Sequence, residues 1–176
     1  MAGTLTVQNL QGPASGANAN KVIIPSGHVL DASAGFVPEA GAVVQCVQYY
    51  NPITGYEQTA STSMVASSIT KTITPKFENS LIIVQSSIAM ADPISDYMMS
   101  QMYLNGSPMT GSSIYQVGYQ NSSYVRYAPF VFQGNYTCTT TSPLTFTVYY
   151  RSGNGTNVRI THADSSSALT LWEIAQ

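Results

Sequence analysis

The sequence predicts an all-β protein: an antiparallel two-sheet β-sandwich with a jelly-roll-like topology and an extended N-terminal arm. Apolar and aromatic runs of strand length recur from about residue 41 to the end of the chain, with turn signals between them. No long stretch shows the 3.6-residue periodicity of an amphipathic helix. Glycine and proline interrupt the first forty residues at short intervals, which is typical of an extended segment.

Residues 1–40 are the predicted arm for docking or oligomerisation. Their apolar groups are short and are separated by Gly12–Asn20 and by Pro25–Gly27, so they cannot form a sheet of their own. The arm therefore needs a partner, which is the domain behind it, a neighbouring subunit or another protein. The predicted docking residues are Leu5, Val7, Leu10, Val22, Ile23 and Ile24.

Residues 41–176 are the predicted jelly-roll-like knob domain. The clearest strand begins at Leu144, because every second residue from there to Tyr150 shares one largely apolar face. A period of two indicates a half-buried strand of an antiparallel sheet. The predicted strands are Val43–Tyr50, Met64–Ile73, Leu81–Met90, Tyr97–Leu104, Ile114–Tyr119, Tyr124–Phe132, Leu144–Tyr150, Val158–Thr161 and Ala168–Ile174.

Two Asn-Gly pairs predict hairpins. Asn105-Gly106 follows the strand that ends at Leu104, and Asn154-Gly155 lies between the strands at Leu144 and Val158. Asn-Gly suits the positive φ angles of a tight primed turn. A single helical turn is the alternative to a strand near Met98, but the β-rich surroundings favour the strand.

Charge and hydropathy argue against nucleic acid and against a membrane as partners. Only 8% of residues are charged, the formal net charge is -2, and no run of either sign occurs, so nothing could neutralise the phosphates of a nucleic acid. The first residues lack the basic and apolar regions of a signal peptide, and no later run is long and apolar enough to span a bilayer. We expect a soluble protein made in a cytosol, with a polar but mostly uncharged surface.

The residues that carry enzyme chemistry are few and scattered. Neither His28 nor His162 lies beside a nucleophile motif. Asp92 and Asp96 flank a proline, where Asp is common for its local backbone hydrogen bonds. His162 and Asp164 would supply at most two metal ligands. We expect no enzymatic activity, no catalytic residue, no metal and no cofactor.

Cys46 and Cys138 are the only cysteines. Two are too few for a disulfide scaffold or a four-thiolate metal site. Free cysteine is usually buried, so we expect two buried free thiols in strands, although the sequence leaves open whether they pair.

Tyrosine is abundant and offers a candidate surface contact. Tyrosine supplies a large, rigid contact area with a polar tip, which suits recognition surfaces and sugar stacking. The alternative is that these residues only reflect the preference of tyrosine for strands. The candidate residues are Tyr115, Tyr119, Tyr124 and Tyr127.

Five segments carry a resemblance to a known class of protein. Thr4–Pro13, Ala17–Ser33 and Gly41–Gln45 resemble the N-terminal portion of small structural proteins of tailed phages that infect aquatic bacteria, such as cyanophages. Thr70–Val84 is similar to a strand-turn-strand of the same proteins, and Leu169–Ala175 is similar to their closing strand. The resemblance implies a virion protein, a trimer of β-sandwiches, and it carries over no catalytic residue.

Physical constraints rank the roles that the resemblance implies. A tail-fibre shaft needs a coiled coil or repeated units, and these 176 residues contain neither. A compact body with an arm suits a trimeric capsid decoration or cement protein that binds the major capsid protein and stabilises the head. The first alternative is a tail-fibre tip or adaptor that contacts tail proteins. The second is a carbohydrate-binding module for a host surface glycan. The expected location is the virion, assembled in the host bacterial cytoplasm.

Overall fold

The computed structural model describes residues 13–16, 26, 38–51, 55–92, 97–112, 114–117, 126–160 and 166–176. The chain divides into two compact units, Met1–Val37 and Pro38–Gln176. Almost all described residues belong to the second unit, and every described strand lies in it.

The described residues form strands and turns without a helix, as predicted. All of the predicted strands are present, with shifted ends and two additions. They are β1 (Val43–Asn51), β2 (Glu57–Thr59), β3 (Val65–Ile73), β4 (Leu81–Asp92), β5 (Met98–Leu104), β6 (Ser107–Pro108), β7 (Tyr115–Val117), β8 (Arg126–Thr137), β9 (Leu144–Ser152), β10 (Val158–Ile160) and β11 (Ser167–Ile174).

The strands make two antiparallel sheets, which confirms the sandwich. The first sheet, here called sheet A, has the order β1-β11-β4-β10-β2. Strands β11 and β10 pair with successive parts of one edge of β4, and β8 pairs with its opposite edge. The second, sheet B, has the order β3-β9-β5-β6, and β7 also pairs with β5. Of the main strands, β1, β4, β8 and β11 lie in sheet A, while β3, β5, β7 and β9 lie in sheet B. This interleaving is that of a jelly roll.

The core lies between the sheets and follows the period of two. Burial alternates strictly along β9, and Leu144, Phe146, Val148 and Tyr150 all face the core. Neighbouring side chains of a strand point to opposite faces, so each strand contributes one apolar face. Buried residues of β4, β8 and β11 oppose those of β9 and β5. They include Ile82, Val84, Ile88, Phe130, Leu169, Leu171, Met98 and Met102.

One predicted hairpin is confirmed and the other is wrong. Asn105 and Gly106 have φ angles of 50° and 80° and join β5 to β6, as a primed turn requires. Asn154-Gly155 does not join a hairpin, because β9 belongs to sheet B whereas β10 pairs with β2 and β4 in sheet A. Val158 and Ile160 are fully buried on that sheet, and the chain crosses between the layers at this turn.

The differences in strand length come from pairing with distant partners. β8 continues past the predicted end at Phe132 to Thr137 because β4 pairs with it along all twelve residues. The short β2 lies outside the predicted strands, and it forms because β10 pairs with Glu57–Thr59. The segment Met98–Met102 is a strand rather than a helical turn.

Candidate functional site

The predicted tyrosine contact set falls on two different strands. Tyr115 begins β7, beside β5 in sheet B, and Tyr127 lies in β8, beside β4 in sheet A. Tyr119 and Tyr124 lie outside the described residues. The backbone therefore assigns the first and last of these tyrosines to separate sheets.

Several other predicted residues also lie outside the described part of the chain. These are the arm residues Leu5, Val7, Leu10, Val22, Ile23 and Ile24, both histidines, Asp96 and Asp164. Asp92 is the last residue of β4, where its backbone pairs with Arg126.

The outer face of sheet B is built from side chains that bond or stack with one another. Thr70 and Thr147 share a hydroxyl hydrogen bond of 2.8 Å across β3 and β9, and Thr72 and Thr145 share another of the same length. The rings of Tyr103 and Tyr149 stack 3.8 Å apart. Cross-strand pairs of this kind stabilise a sheet.

The outer face of sheet A has a different character where its four long strands lie side by side, because it carries no charged residue there. The register of β1, β11, β4 and β8 places sixteen outward side chains in four rows. The rows are Val43-Ile174-Leu81-Thr137, Cys46-Trp172-Ile83-Asn135, Gln48-Thr170-Gln85-Gln133 and Tyr50-Ala168-Ser87-Val131. We call these sixteen residues the neutral face. About half of it is apolar, and an amide-rich row crosses its centre.

The neutral face carries exposed apolar side chains at both of its edges. Val43 and Tyr50 of β1 have 61% and 58% of their surface exposed, and Val131 of β8 has 59%. At the β4–β8 side, Leu81, Ile83 and residues 133–135 line a depression of about 470 Å³. The chain's single tryptophan, Trp172, is half-buried between these two regions. Sequence reasoning missed this face, because its rows depend on the pairing register.

Glu173 is a fully buried carboxylate of β11 that faces the core side of sheet A. Its oxygens accept hydrogen bonds from the backbone N–H groups of Lys76 (2.8 Å) and Phe77 (3.1 Å), the Ser80 hydroxyl (2.8 Å) and the Gln45 side-chain amide (2.6 Å). All four donors are uncharged. A buried carboxylate is tolerated when such donors replace its hydration.

These bonds attach the β3–β4 loop to the closing strand. Gln45 also donates to the carbonyl of Thr74 at 2.7 Å, so β1, the loop and β11 meet at one carboxylate. We did not identify this role from the sequence. The signal was that Glu173 is an acidic residue at a position that strand alternation directs toward the apolar core. The geometry suits a structural anchor, because the carboxylate has no solvent exposure through which a substrate could reach it.

A second carboxylate fastens the two sheets at their edge. Glu57 of β2, in sheet A, accepts hydrogen bonds from the backbone N–H and the hydroxyl of Ser68 on β3, in sheet B. Nearby, the Arg159 guanidinium lies 4.2 Å from the centre of the Tyr56 ring, a cation–π contact. Burial and, to a smaller extent, the negative charge of Glu57 raise the pKa of Tyr150 to about 12.

The two thiols differ in environment, which corrects the expectation that both are buried in strands. Cys46 is exposed, because β1 turns it outward onto the neutral face opposite Trp172. Cys138 is buried and lies just after β8, where its backbone N–H donates to the carbonyl of Ser80. Burial raises the pKa of the Cys138 thiol. Both thiols are free.

Within the described ranges, no three His, Cys, Asp or Glu side chains come close enough together to hold a metal ion. No helix among the same residues is long and apolar enough to cross a membrane. No protein-family model and no curated protein matches the chain.

Proposed function

We propose that this chain is a non-enzymatic surface protein of a tailed-phage particle, a trimeric decoration or cement protein that binds the major capsid protein and stabilises the head. The observation that carries the proposal is a jelly-roll-like body preceded by a segment whose short apolar groups are predicted to have no core of their own. Clamping a preformed shell across subunit junctions calls for these two parts.

The position of the resembling segments supports the same proposal. Thr70–Val84 and Leu169–Ala175 both resemble segments of small phage structural proteins, and they are far apart in sequence. In the fold they form one unit, since β4 pairs with β11 and Glu173 bonds the loop between β3 and β4. Two segments that each resemble these phage proteins, and that also pack together in the fold, favour an architecture shared with those proteins over a chance likeness.

The copy number of the protein in purified particles tests the proposal. Decoration of a head requires hundreds of copies per particle, whereas a tail-fibre tip or adaptor requires a few tens or fewer. A low copy number would move the protein to the tail, which is the first alternative. The protein would in either case assemble into the virion in the bacterial cytoplasm.

Deleting residues 1–40 tests the role of the arm. We expect the remaining body to fold as a soluble β-domain, because every described core residue lies after residue 40, and to fail to join particles. The matched variant keeps the full length of the chain and replaces all six predicted docking residues by Ser. Normal incorporation of both variants would exclude the arm as the docking element.

A carbohydrate-binding module is the second alternative, and the stacked Tyr103 and Tyr149 rings on the outer face of sheet B are the observation that favours it. Glycan-array binding by the isolated body, lost on replacing Tyr103 by Ala, would support this class. Attachment to capsids that depends on the arm would support decoration.

A further inference from the structure

We infer that the neutral face is the surface through which copies of this chain associate. The inference rests on the proposed function for the existence of a trimer, and it specifies the side chains that make its contacts. The occupant is a second copy of the chain.

The absence of charge is the first reason. Sixteen outward side chains on β1, β11, β4 and β8 include no Lys, Arg, Asp, Glu or His. A face with net charge repels its own copy, whereas amide groups both donate and accept and can therefore pair with themselves. Gln85 lies exposed in the middle of the face, with Gln48 and Gln133 exposed at its two edges. Charged residues are also depleted in the centres of protein interfaces.

Area is the second reason. Four strands about 4.8 Å apart and about eight residues long at about 3.3 Å each give a face of about 500 Å². In a head-to-tail ring each copy shares its face between two neighbours, so each contact removes about 500 Å² from solvent and a ring of three copies removes about 1,500 Å² in total. A specific contact needs about 1,000 Å², so neighbouring loops supply the remaining area.

The relief of the face supplies the third reason. Val43 and Tyr50 are exposed at the β1 side, whereas the β8 side has the exposed Val131 and the depression beside Leu81 and Ile83. Because only one side has a depression, the two sides differ in shape, and a head-to-tail contact places the β1 side of one copy against the β8 side of the next. Contacts of this type close into a ring when the rotation between copies permits.

The face carries two natural reporters for the experiment. Trp172 is the only tryptophan, and Cys46 is exposed while Cys138 is buried, so native thiol labelling reports on Cys46 alone. Light scattering gives the mass as a function of concentration. In the same samples, we expect the Trp172 emission to shift to shorter wavelength and the labelling of Cys46 to slow by about tenfold as the oligomer forms.

Gln85→Lys tests the face directly. Gln85 is exposed, so the substitution leaves the fold intact, but it places like charges in the contact. We expect association to weaken by about 10- to 100-fold, so the slowing of Cys46 labelling should move to correspondingly higher protein concentrations. The matched control is Ala66→Lys, which adds the same charge at an exposed position on the outer face of sheet B and should behave as wild type. Circular dichroism and thermal unfolding check that both variants fold.

The outcomes separate this inference from the proposed function. An oligomer that survives Gln85→Lys, or one in which Trp172 and Cys46 stay as accessible as in the monomer, overturns the inference and leaves decoration standing. A chain that is monomeric at all concentrations overturns the inference and the trimer together. If the chain associates through the neutral face but has a low copy number in particles, the inference holds and the decoration role is wrong. Association that persists at about 1 M salt is expected, because no ion pair contributes to the contact.

Discussion

Replacing Glu173 by Ala should destabilise the fold strongly. The carboxylate is fully buried and accepts hydrogen bonds from Gln45, the Lys76 and Phe77 backbone and Ser80. Hydrogen bonds to a charged group contribute about 1.5–3 kcal/mol each, and donors left unsatisfied add a desolvation cost. Water can reach part of the exposed loop in the variant and offset some of the loss. We therefore expect the free energy of unfolding to fall by about 3–5 kcal/mol.

Glu173→Gln separates the loss of one acceptor from the loss of the whole group. The remaining carbonyl oxygen can still accept from the β3–β4 loop, but the new amide faces the Gln45 amide, which lies 2.6 Å from the carboxylate oxygen in the native protein. Two donors then oppose each other, and the expected cost is about 1–2 kcal/mol. Glu78→Gln makes the same atomic change at an exposed position of the same loop and should cost less than about 0.5 kcal/mol.

Urea unfolding followed by far-UV circular dichroism gives these free energies without relying on the fluorescence of the neighbouring Trp172. A double-mutant cycle with Gln45→Ala should give a coupling energy of about 1–2 kcal/mol, since Gln45→Ala costs little once its acceptor is gone. A loss below about 1 kcal/mol for Glu173→Ala, or zero coupling to Gln45, would refute the anchor.

Three further predictions concern single side chains. Because the pKa of Tyr150 is raised from 10.0 to about 12, its stabilising contribution is complete below pH 10 and is lost as the pH rises toward 12; Tyr150→Phe should flatten the decline of stability measured by urea unfolding over this range. Within the described part of the chain, the Ser86 hydroxyl is buried without a hydrogen-bond partner, whereas that of Ser67 donates to the Val148 carbonyl. Ser86→Ala should therefore stabilise by about 1 kcal/mol and Ser67→Ala should destabilise by a similar amount; equal effects would contradict this. One thiol, Cys46, should react in the native protein, and Cys138 only at the rate of unfolding; two fast thiols would contradict the burial of Cys138.

Local signals in the sequence specify the strands and their faces. Alternation along Leu144–Tyr150 predicted the burial pattern of β9, and Asn105-Gly106 predicted a hairpin turn. Both signals are local, because side-chain direction in a strand has a period of two and the φ angles of a turn depend on the residues within it. The all-β class and the two-sheet architecture followed from the same signals repeated along the chain.

Strand pairing, in contrast, is a property of the tertiary structure. Asn154-Gly155 has the residues of a hairpin turn, yet it crosses between sheets because β10 is buried against β2 and β4. The donors of Glu173 come from β1 and the β3–β4 loop, and the neutral face exists only in the register of β1, β11, β4 and β8. Pairing partners and register depend on which distant segments bury each other's apolar faces, and the whole chain rather than any one segment sets that outcome.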